Sequence, residues 1–145
     1  MDKDQLISQM KVLLASTFSL YLKSHNYHWN VTGPNFGQYH DFFGEFYTEV
    51  WESLDTTAEE IRKLDSFAPG SLSRYAEISR IEDETMIPES NQMFKRLAND
   101  NDILIGQLYM ARESADSLGE FGVVNYIEER ISAHEKHRWM LRSFT

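Results

Sequence analysis

Residues 28–59, with the sequence HWNVTGPNFGQYHDFFGEFYTEVWESLDTTAE, contain two histidines and two carboxylates whose spacing decides the architecture, namely His28, His40, Asp55 and Glu59. On a helix that rises about 1.5 Å per residue, His40 and Asp55 lie roughly 22 Å apart, too far to bind one ion. Asp55 and Glu59, four residues apart, share a helix face. If all four residues form one site, the carboxylates of one subunit must meet the histidines of another across a two-fold axis, and the site then arises twice.

The residues before this stretch predict a first helix over residues 4–29. Apolar side chains recur there at intervals of three or four residues, at Leu6, Met10, Leu13, Leu14, Phe18, Tyr21 and Leu22. The helix is expected to end before Gly33 and Pro34, because glycine permits a chain reversal and proline disfavours helical geometry in the residue before it. A sharp turn should therefore separate His28 from His40.

A second long helix is predicted from Asn35, as an N-cap that forms a capping box with Gln38, to about Leu64. Its apolar series is Phe43, Tyr47, Val50, Leu54, Ala58 and Ile61. Further aromatic residues widen the apolar surface of its first half beyond one face, at Tyr39, Phe42, Phe46 and Trp51. We expect a subunit interface to cover these rings, because one packing partner within the chain would leave them in water.

The rest of the chain predicts two more long helices after an extended crossover. Residues 66–88 are broken by proline and glycine and have room for one short helix. A third helix is predicted from Glu89 to about Ser117 and a fourth through Val124 to Leu141, with Gly119 at the joint. The predicted fold is an all-α, ferritin-like four-helix bundle, with a long crossover that carries a short helix between helices two and three, as a single domain over residues 1–145.

Composition restricts the chemistry that the chain can support. It has no cysteine, which excludes disulfides, thiolate catalysis and iron–sulfur ligation and leaves oxygen and imidazole ligands. The net charge is −9, which favours cations over nucleic acid as partners, although an acidic surface also serves solubility alone. No apolar run approaches the roughly 20 residues that span a bilayer, so a soluble, cytoplasmic protein is expected.

The histidines do not fit a metal centre built within one four-helix bundle. Such centres use Glu-x-x-His, and no histidine here has glutamate three residues before it. His28 and His40 can approach each other across the turn but cannot reach the carboxylates of their own chain. Spacing alone leaves a second interpretation open, in which the histidines pack and Asp55 and Glu59 are solvated.

Three segments resemble the Dps family of miniferritins: HNYHWNVTGPNF at residues 25–36 followed by His40, LDTTAEEIRKL at 54–64, and EKHRWMLR at 135–142. The resemblance implies a dodecameric hollow shell that oxidises ferrous iron with hydrogen peroxide or oxygen, stores ferric mineral, and protects against oxidative damage. The implied ferroxidase ligands are His28 and His40 of one subunit with Asp55 and Glu59 of its two-fold partner. Zinc would also bind such ligands.

Gly44 departs from the family pattern, which has a carboxylate four residues after the second histidine. Asp41 and Glu45 are the neighbouring candidates, although each is rotated by about 100° from the required direction. Water is another candidate for that position. One ion is therefore expected to bind well at His28, Asp55 and Glu59, and ferroxidase activity is expected to be reduced.

The resemblance also gives expectations away from the metal ligands. A tryptophan at Trp29 would lie beside the centre and absorb oxidising equivalents, or else anchor an interface. Carboxylates near Gly119, from Glu113, Asp116 and Glu120, would line a pore at a three-fold axis, or else form a solvated loop. His134 is expected to pack on the apolar face of its helix, whereas His25 and His137 match no family ligand.

Two other functions compete with iron oxidation. One is a shell or metal-binding protein whose oxidation centre has decayed at Gly44. The other is DNA compaction, which in the family depends on a lysine-rich terminus, but the first ten residues hold one lysine and two aspartates. DNA binding is therefore not expected.

Overall fold

The computed structural model describes residues 2–145 as a bundle of four long helices with one short helix. The helices are α1 (Lys3–Asn30), α2 (Phe36–Lys63), α3 (Leu72–Ile78), α4 (Ser90–Ser117) and α5 (Phe121–Ser143). These residues contain no strand. The predicted all-α bundle is confirmed, including the short helix in the crossover.

The contacts between helices fix their directions. Near the turn, His28 of α1 packs on His40 of α2, and further along the same two helices Tyr21 lies 6.1 Å from Tyr47 between ring centroids. α1 and α2 are therefore antiparallel. Ion pairs show the same relation for α4 and α5, because Asp102 pairs with Arg138 and Arg112 with Glu128.

The crossover runs the length of the bundle, so the start of α4 lies beside the start of α2. Phe94 near the start of α4 and Phe144 after α5 both contact Phe42 near the start of α2, with ring centroids 5.7 and 4.7 Å away. We call this end of the bundle, where α1 also finishes, the histidine end. Asp55 and Glu59 lie on α2 towards the opposite end.

We predicted that a subunit interface covers the aromatic rings of the second helix, and this prediction is wrong for two of them. Phe42 and Phe46 are buried within the chain. Phe94 of α4 and Phe144, which follows α5, pack on Phe42 and stack on each other at 4.3 Å, whereas Phe46 packs on His137 of α5 at 4.6 Å between ring centroids. Trp51, in contrast, is 55% exposed. The sequence overestimated the uncovered surface because it could not show that Phe144 folds back over α2.

The predicted capping box at Asn35 is also wrong. Asn35 precedes α2, but its side chain makes no capping hydrogen bond, because its φ of −104° and ψ of 24° differ from the extended geometry that aims an N-cap side chain at the helix. A backbone bond from Phe36 N–H to the Gly33 carbonyl, at 3.1 Å, closes the turn instead. Gly33 has φ +116°, which an L side chain rarely adopts.

Buried and half-buried polar contacts join the helices and tie the crossover to the bundle. Lys23 of α1 and Asp100 of α4 form an ion pair of 2.8 Å in which both side chains are under a tenth exposed. Tyr27 of α1 donates a hydrogen bond to Glu84 of the crossover at 2.7 Å. Within residues 2–145, no helix is long and apolar enough to cross a membrane.

Candidate metal centre

The turn between α1 and α2 brings His28 and His40 into direct contact. Their rings stack with centroids 3.8 Å apart and planes 19° from parallel. The Nδ1 atom of each ring lies 2.7 Å from the backbone carbonyl oxygen of the other histidine. The two residues therefore position each other, and the predicted approach of the imidazoles is confirmed.

These reciprocal hydrogen bonds fix where each ring carries its proton. A carbonyl oxygen only accepts, so Nδ1 must be the protonated nitrogen that donates. The lone pair of a neutral imidazole is then on Nε2, which is the arrangement in metal-binding histidines whose other nitrogen donates to a carbonyl. Both rings are partly exposed, so His28 and His40 present two oriented donor atoms to a cation.

Gly44 lies directly against the ring of His28. A Cβ atom added at residue 44 would lie 3.0 Å from Cε1 and 3.1 Å from Nδ1 of His28, tighter than most real contacts. The ring therefore occupies the space through which a side chain from this position would emerge. Gly44, which departs from the family pattern, therefore leaves room for the ring of His28 to lie against α2.

A group of packed rings adjoins the histidine pair, centred on His25. Its ring stacks on Tyr47 at 3.8 Å with planes 10° apart and lies 3.9 Å from the ring of Trp29. The Tyr21 hydroxyl lies 2.9 Å from His25 Nδ1. Burial, and then the neighbouring His28, lower the pKa of His25, whereas burial raises the pKa of Tyr21. Trp29 is 59% exposed, so its ring remains open to a second molecule.

The chain does not bring its predicted carboxylate ligands to the histidines. Asp55 and Glu59 are exposed on α2, towards the end of the bundle opposite the histidine end. Asp41 and Glu45, the alternative ligands, are exposed and line a shallow surface depression together with His28 and Gly44. Across residues 2–145 no three histidine, aspartate or glutamate side chains are arranged to hold a metal ion.

The predicted pore residues lie at the junction of α4 and α5. Glu113 and Asp116 are exposed, and Glu120 precedes α5. Glu113 is not a free carboxylate, because Arg112 lies 3.4 Å from it and also pairs with Glu128 at 3.2 Å. The acidic character of this junction therefore depends mainly on Asp116 and Glu120.

A second polar cluster, between α2 and α5, was missed by the sequence analysis. Glu49 accepts hydrogen bonds from Arg130 and His137, the latter at 2.7 Å. Burial alone would raise the pKa of Glu49, but these hydrogen bonds outweigh it and hold the pKa well below its ordinary range. The four- and three-residue spacings of Arg130, His134 and His137 place them on one face of α5, a signal that could have revealed the cluster.

His134 packs in the core, as predicted, and is also fully hydrogen-bonded. Its Nδ1 donates to the side-chain oxygen of Asn101 at 2.7 Å, and Arg130 lies 3.0 Å from its Nε2. Burial, and then the charge of Arg130, lower its pKa well below 6.5. With both ring nitrogens occupied, His134 has no lone pair for a metal.

Comparison with known proteins places this geometry in context. A ferritin-like domain model matches residues 7–145. A DNA protection during starvation protein of Brevibacillus brevis is 34% identical over 90% of this chain and 88% of its own length. The crystal structure of a Dps protein from Bacillus brevis superposes with a TM-score of 0.94 at 31% identity, covering 99% of both chains. A Dps protein from Vibrio cholerae O1, described as a member of a superfamily of ferritin-like diiron-carboxylate proteins, gives a TM-score of 0.94 at 28% identity, covering 98% of this chain and 89% of that one.

Proposed function

The chain belongs to the Dps family of ferritin-like proteins, and from that premise we propose that it oxidises ferrous iron and stores the ferric product as mineral. The proposed assembly is a hollow shell, a dodecamer, with its oxidation sites at two-fold interfaces. The oxidant is hydrogen peroxide or oxygen, and the removal of ferrous iron and peroxide protects the cell against oxidative damage.

The observation that carries this proposal is the reciprocal hydrogen bonding of His28 and His40. It leaves two Nε2 lone pairs oriented by the backbone on one partly exposed surface. The two Nδ1 bonds use one nitrogen of each ring and leave the other nitrogen of each partly exposed residue free to bind a cation. Nitrogen and oxygen ligands suit ferrous iron, and zinc, which accepts the same ligands, is an expected competitor.

The exposed carboxylates of α2 supply the other half of the proposed site. Asp55 and Glu59 cannot reach the histidines of their own chain, so we assign them to the histidines of a second copy related by a two-fold axis. Trp51, on the same helix, is a large ring left exposed by the isolated chain, and an interface along α2 would cover it. Each two-fold contact then builds two equivalent sites.

The residues of such a site have separate tasks in the reaction. His28 and His40 hold and orient the ferrous ion as neutral ligands, whereas Asp55 and Glu59 add the negative charge that stabilises the ferric product. Two ferrous ions each give up one electron, and one peroxide takes both electrons and two protons to form two waters. The net charge of −9 raises the local concentration of the cationic substrate.

The decisive experiment follows ferrous oxidation with and without peroxide in the unaltered protein and in His28→Ala and Glu59→Ala. Each substitution removes one ligand from a small set and should reduce the rate strongly. Glu135→Ala, an exposed glutamate on α5, is the matched control and should leave the rate unchanged. Equal rates in all four proteins, with the assembly intact, would contradict the proposed site.

The contact between Gly44 and His28 favours one alternative, a metal-binding shell whose oxidation centre is weak or inactive. With no side chain at residue 44, an ion beside His40 lacks a charged partner unless Glu59 bridges both positions. A ferrous titration under anaerobic conditions separates the two functions. One tight ion per site with slow oxidation supports the weakened centre, whereas two tight ions with rapid oxidation support the full one.

DNA compaction receives no support from the charge of this chain. The Brevibacillus brevis relative carries DNA protection in its name, but a phosphate backbone is repelled by a surface with 23 acidic and 14 basic residues. We expect no shift of duplex DNA in a gel at low salt, the condition that most favours electrostatic binding.

A further inference from the structure

The rings beside the histidine pair form a packed group that takes no part in holding iron at the proposed site. The group consists of Tyr21, His25, Trp29 and Tyr47, and we call it the Tyr21 group. His25 lies between the rings of Tyr47 and Trp29 at 3.8 and 3.9 Å. None of these four side chains is a proposed metal ligand, so their close association needs another explanation.

The hydrogen bond between Tyr21 and His25 joins a phenol to a base. The phenolic oxygen lies 2.9 Å from Nδ1, and Tyr21 donates when the imidazole carries its own proton on Nε2. Removing one electron from a phenol makes its proton strongly acidic. A phenol therefore loses an electron most readily when a base is already in place to take that proton.

Three other tyrosines that donate hydrogen bonds, Tyr27, Tyr75 and Tyr126, lack this combination. Tyr75 donates to the carbonyl oxygen of Pro69 at 2.8 Å and Tyr126 to that of Ser53 at 3.0 Å, and a carbonyl oxygen does not retain a proton. Tyr27 donates to Glu84, whose charge is already held by Arg96 at 2.7 Å. Tyr75 is thus a natural control, a phenol of the same kind with a hydrogen bond but without a base.

The Tyr21 group also connects the phenol to the candidate metal centre. The ring of Tyr47 lies 6.1 Å from that of Tyr21 and 5.2 Å from that of His28, between centroids. An electron can therefore pass from Tyr21 to the neighbourhood of His28 through one intervening ring, without crossing solvent.

We propose that Tyr21 is a redox-active tyrosine that gives one electron to an oxidant formed beside His28, while its phenolic proton passes to His25. The oxidant is a one-electron oxidant of the hydroxyl-radical class, formed from ferrous iron and peroxide, and in this respect the inference rests on the proposed function. The O–H bond of Tyr21 breaks, an N–H bond forms at His25 Nδ1, and the electron reduces the oxidant. An electron from a further ferrous ion, with return of the proton, restores the pair.

A test without iron addresses the Tyr21–His25 pair by itself. Metal-free protein is oxidised with photogenerated ruthenium(III) tris-bipyridine, and tyrosyl radicals are followed by electron paramagnetic resonance. We expect a component of the signal that is lost in Tyr21→Phe and in His25→Gln but kept in Tyr75→Phe. That component should form more slowly in D₂O, because a proton moves with the electron. A signal that neither Tyr21→Phe nor His25→Gln changes would overturn the proposal.

A second test, with ferrous iron and peroxide, addresses the path to the metal centre. Samples frozen within the first turnover should show the same component with the same dependence on Tyr21 and His25. If iron is oxidised and the component is absent, the path past Tyr47 is disproved. If iron is not oxidised, the proposed function fails, and the photochemical test still decides whether the pair is redox-active. Unchanged melting temperature and particle size confirm that each variant is folded, and His25→Gln removes the base while it retains the phenol of Tyr21.

Discussion

At the scale of single residues, Gly44 shows what sequence spacing reveals and what it leaves out. The approach of His28 to His40 follows from a Gly-Pro turn between two helices and could be predicted. The 3.0 Å gap between a Cβ at residue 44 and His28 could not, because it depends on the ring orientation that the two carbonyl bonds impose. From the sequence, Gly44 was only an absent ligand, whereas in the structure it also makes room for His28.

Substitutions at Gly44 should therefore have two opposing effects. Gly44→Ala should favour the helix by about 0.5–1 kcal/mol, yet it pushes the His28 ring by a few tenths of an ångström and should weaken metal binding. Gly44→Asp makes the same contact but adds a carboxylate, so its second ion should bind more tightly than in Gly44→Ala and than in the unaltered protein. Anaerobic titration of the three proteins measures this. Identical second-ion affinities would show that residue 44 takes no part in binding.

At the scale of helices, periodicity predicted the elements to within a few residues, whereas side-chain pairing between them was not predictable. Helix boundaries follow from apolar spacing and from glycine and proline, which are local signals. Lys23 and Asp100 are separated by 77 residues, and nothing local distinguishes these two charges from solvated ones. The spacing of Arg130 and His137 shows that they share a face of α5, but their pairing with Glu49 depends on how α2 and α5 are aligned.

The burial of His134 between helices predicts a loss of stability in mild acid. The unfolded chain takes up a proton near pH 6.5, whereas the folded chain resists it because burial, Arg130 and His137 lower the pKa of His134 and only Glu49 opposes this. The free energy of unfolding should thus fall as the pH drops below about 6.5, by up to about 1.36 kcal/mol per pH unit for this one group. Glu49 contributes only at lower pH, because its pKa is lowered from 4.5.

Urea unfolding between pH 7 and pH 5 measures this slope. His134→Gln should flatten it, whereas His25→Gln should flatten it less, because the ring of His25 is less buried than that of His134. Equal slopes in the unaltered protein and in His134→Gln would assign the acid sensitivity to other groups.

At the scale of the whole molecule, the isolated chain closes its own core but does not bring the proposed ligands together. Its core is closed within the bundle, but each half of the proposed ligand set lies on a different part of the surface. The sequence could predict this division because helix geometry limits how far His40 and Asp55 can approach. It could not predict how the copies are arranged, because that depends on surfaces which local patterns do not define.

The junction of α4 and α5 is the place where we expect iron to be taken up by the shell. Neutralising Glu113, Asp116 and Glu120 should slow uptake more at low than at high ionic strength, because salt screens steering beyond about 10 Å at 0.1 M. A control with the same change in net charge neutralises Glu77, Glu89 and Glu135, which are exposed elsewhere. Equal slowing by both triple variants would assign the effect to net charge and not to a pore.

Mixing of subunits tests the assembly directly, because the proposed ligands of one site come from two chains. His28→Ala subunits keep Asp55 and Glu59, whereas Glu59→Ala subunits keep both histidines. Each variant alone has every site damaged. In a mixed interface one site combines both substitutions, and the other receives intact histidines from one chain and intact carboxylates from its partner.

Random co-assembly of equal amounts makes half of the two-fold interfaces mixed, and half of the sites in those interfaces are intact. Ferrous oxidation should therefore recover to about a quarter of the unaltered rate after co-refolding and remain low when the two shells are mixed without dissociation. Co-refolded particles that contain both subunits but show no recovery would disprove the intersubunit site, because a site within one chain cannot be completed by a second copy.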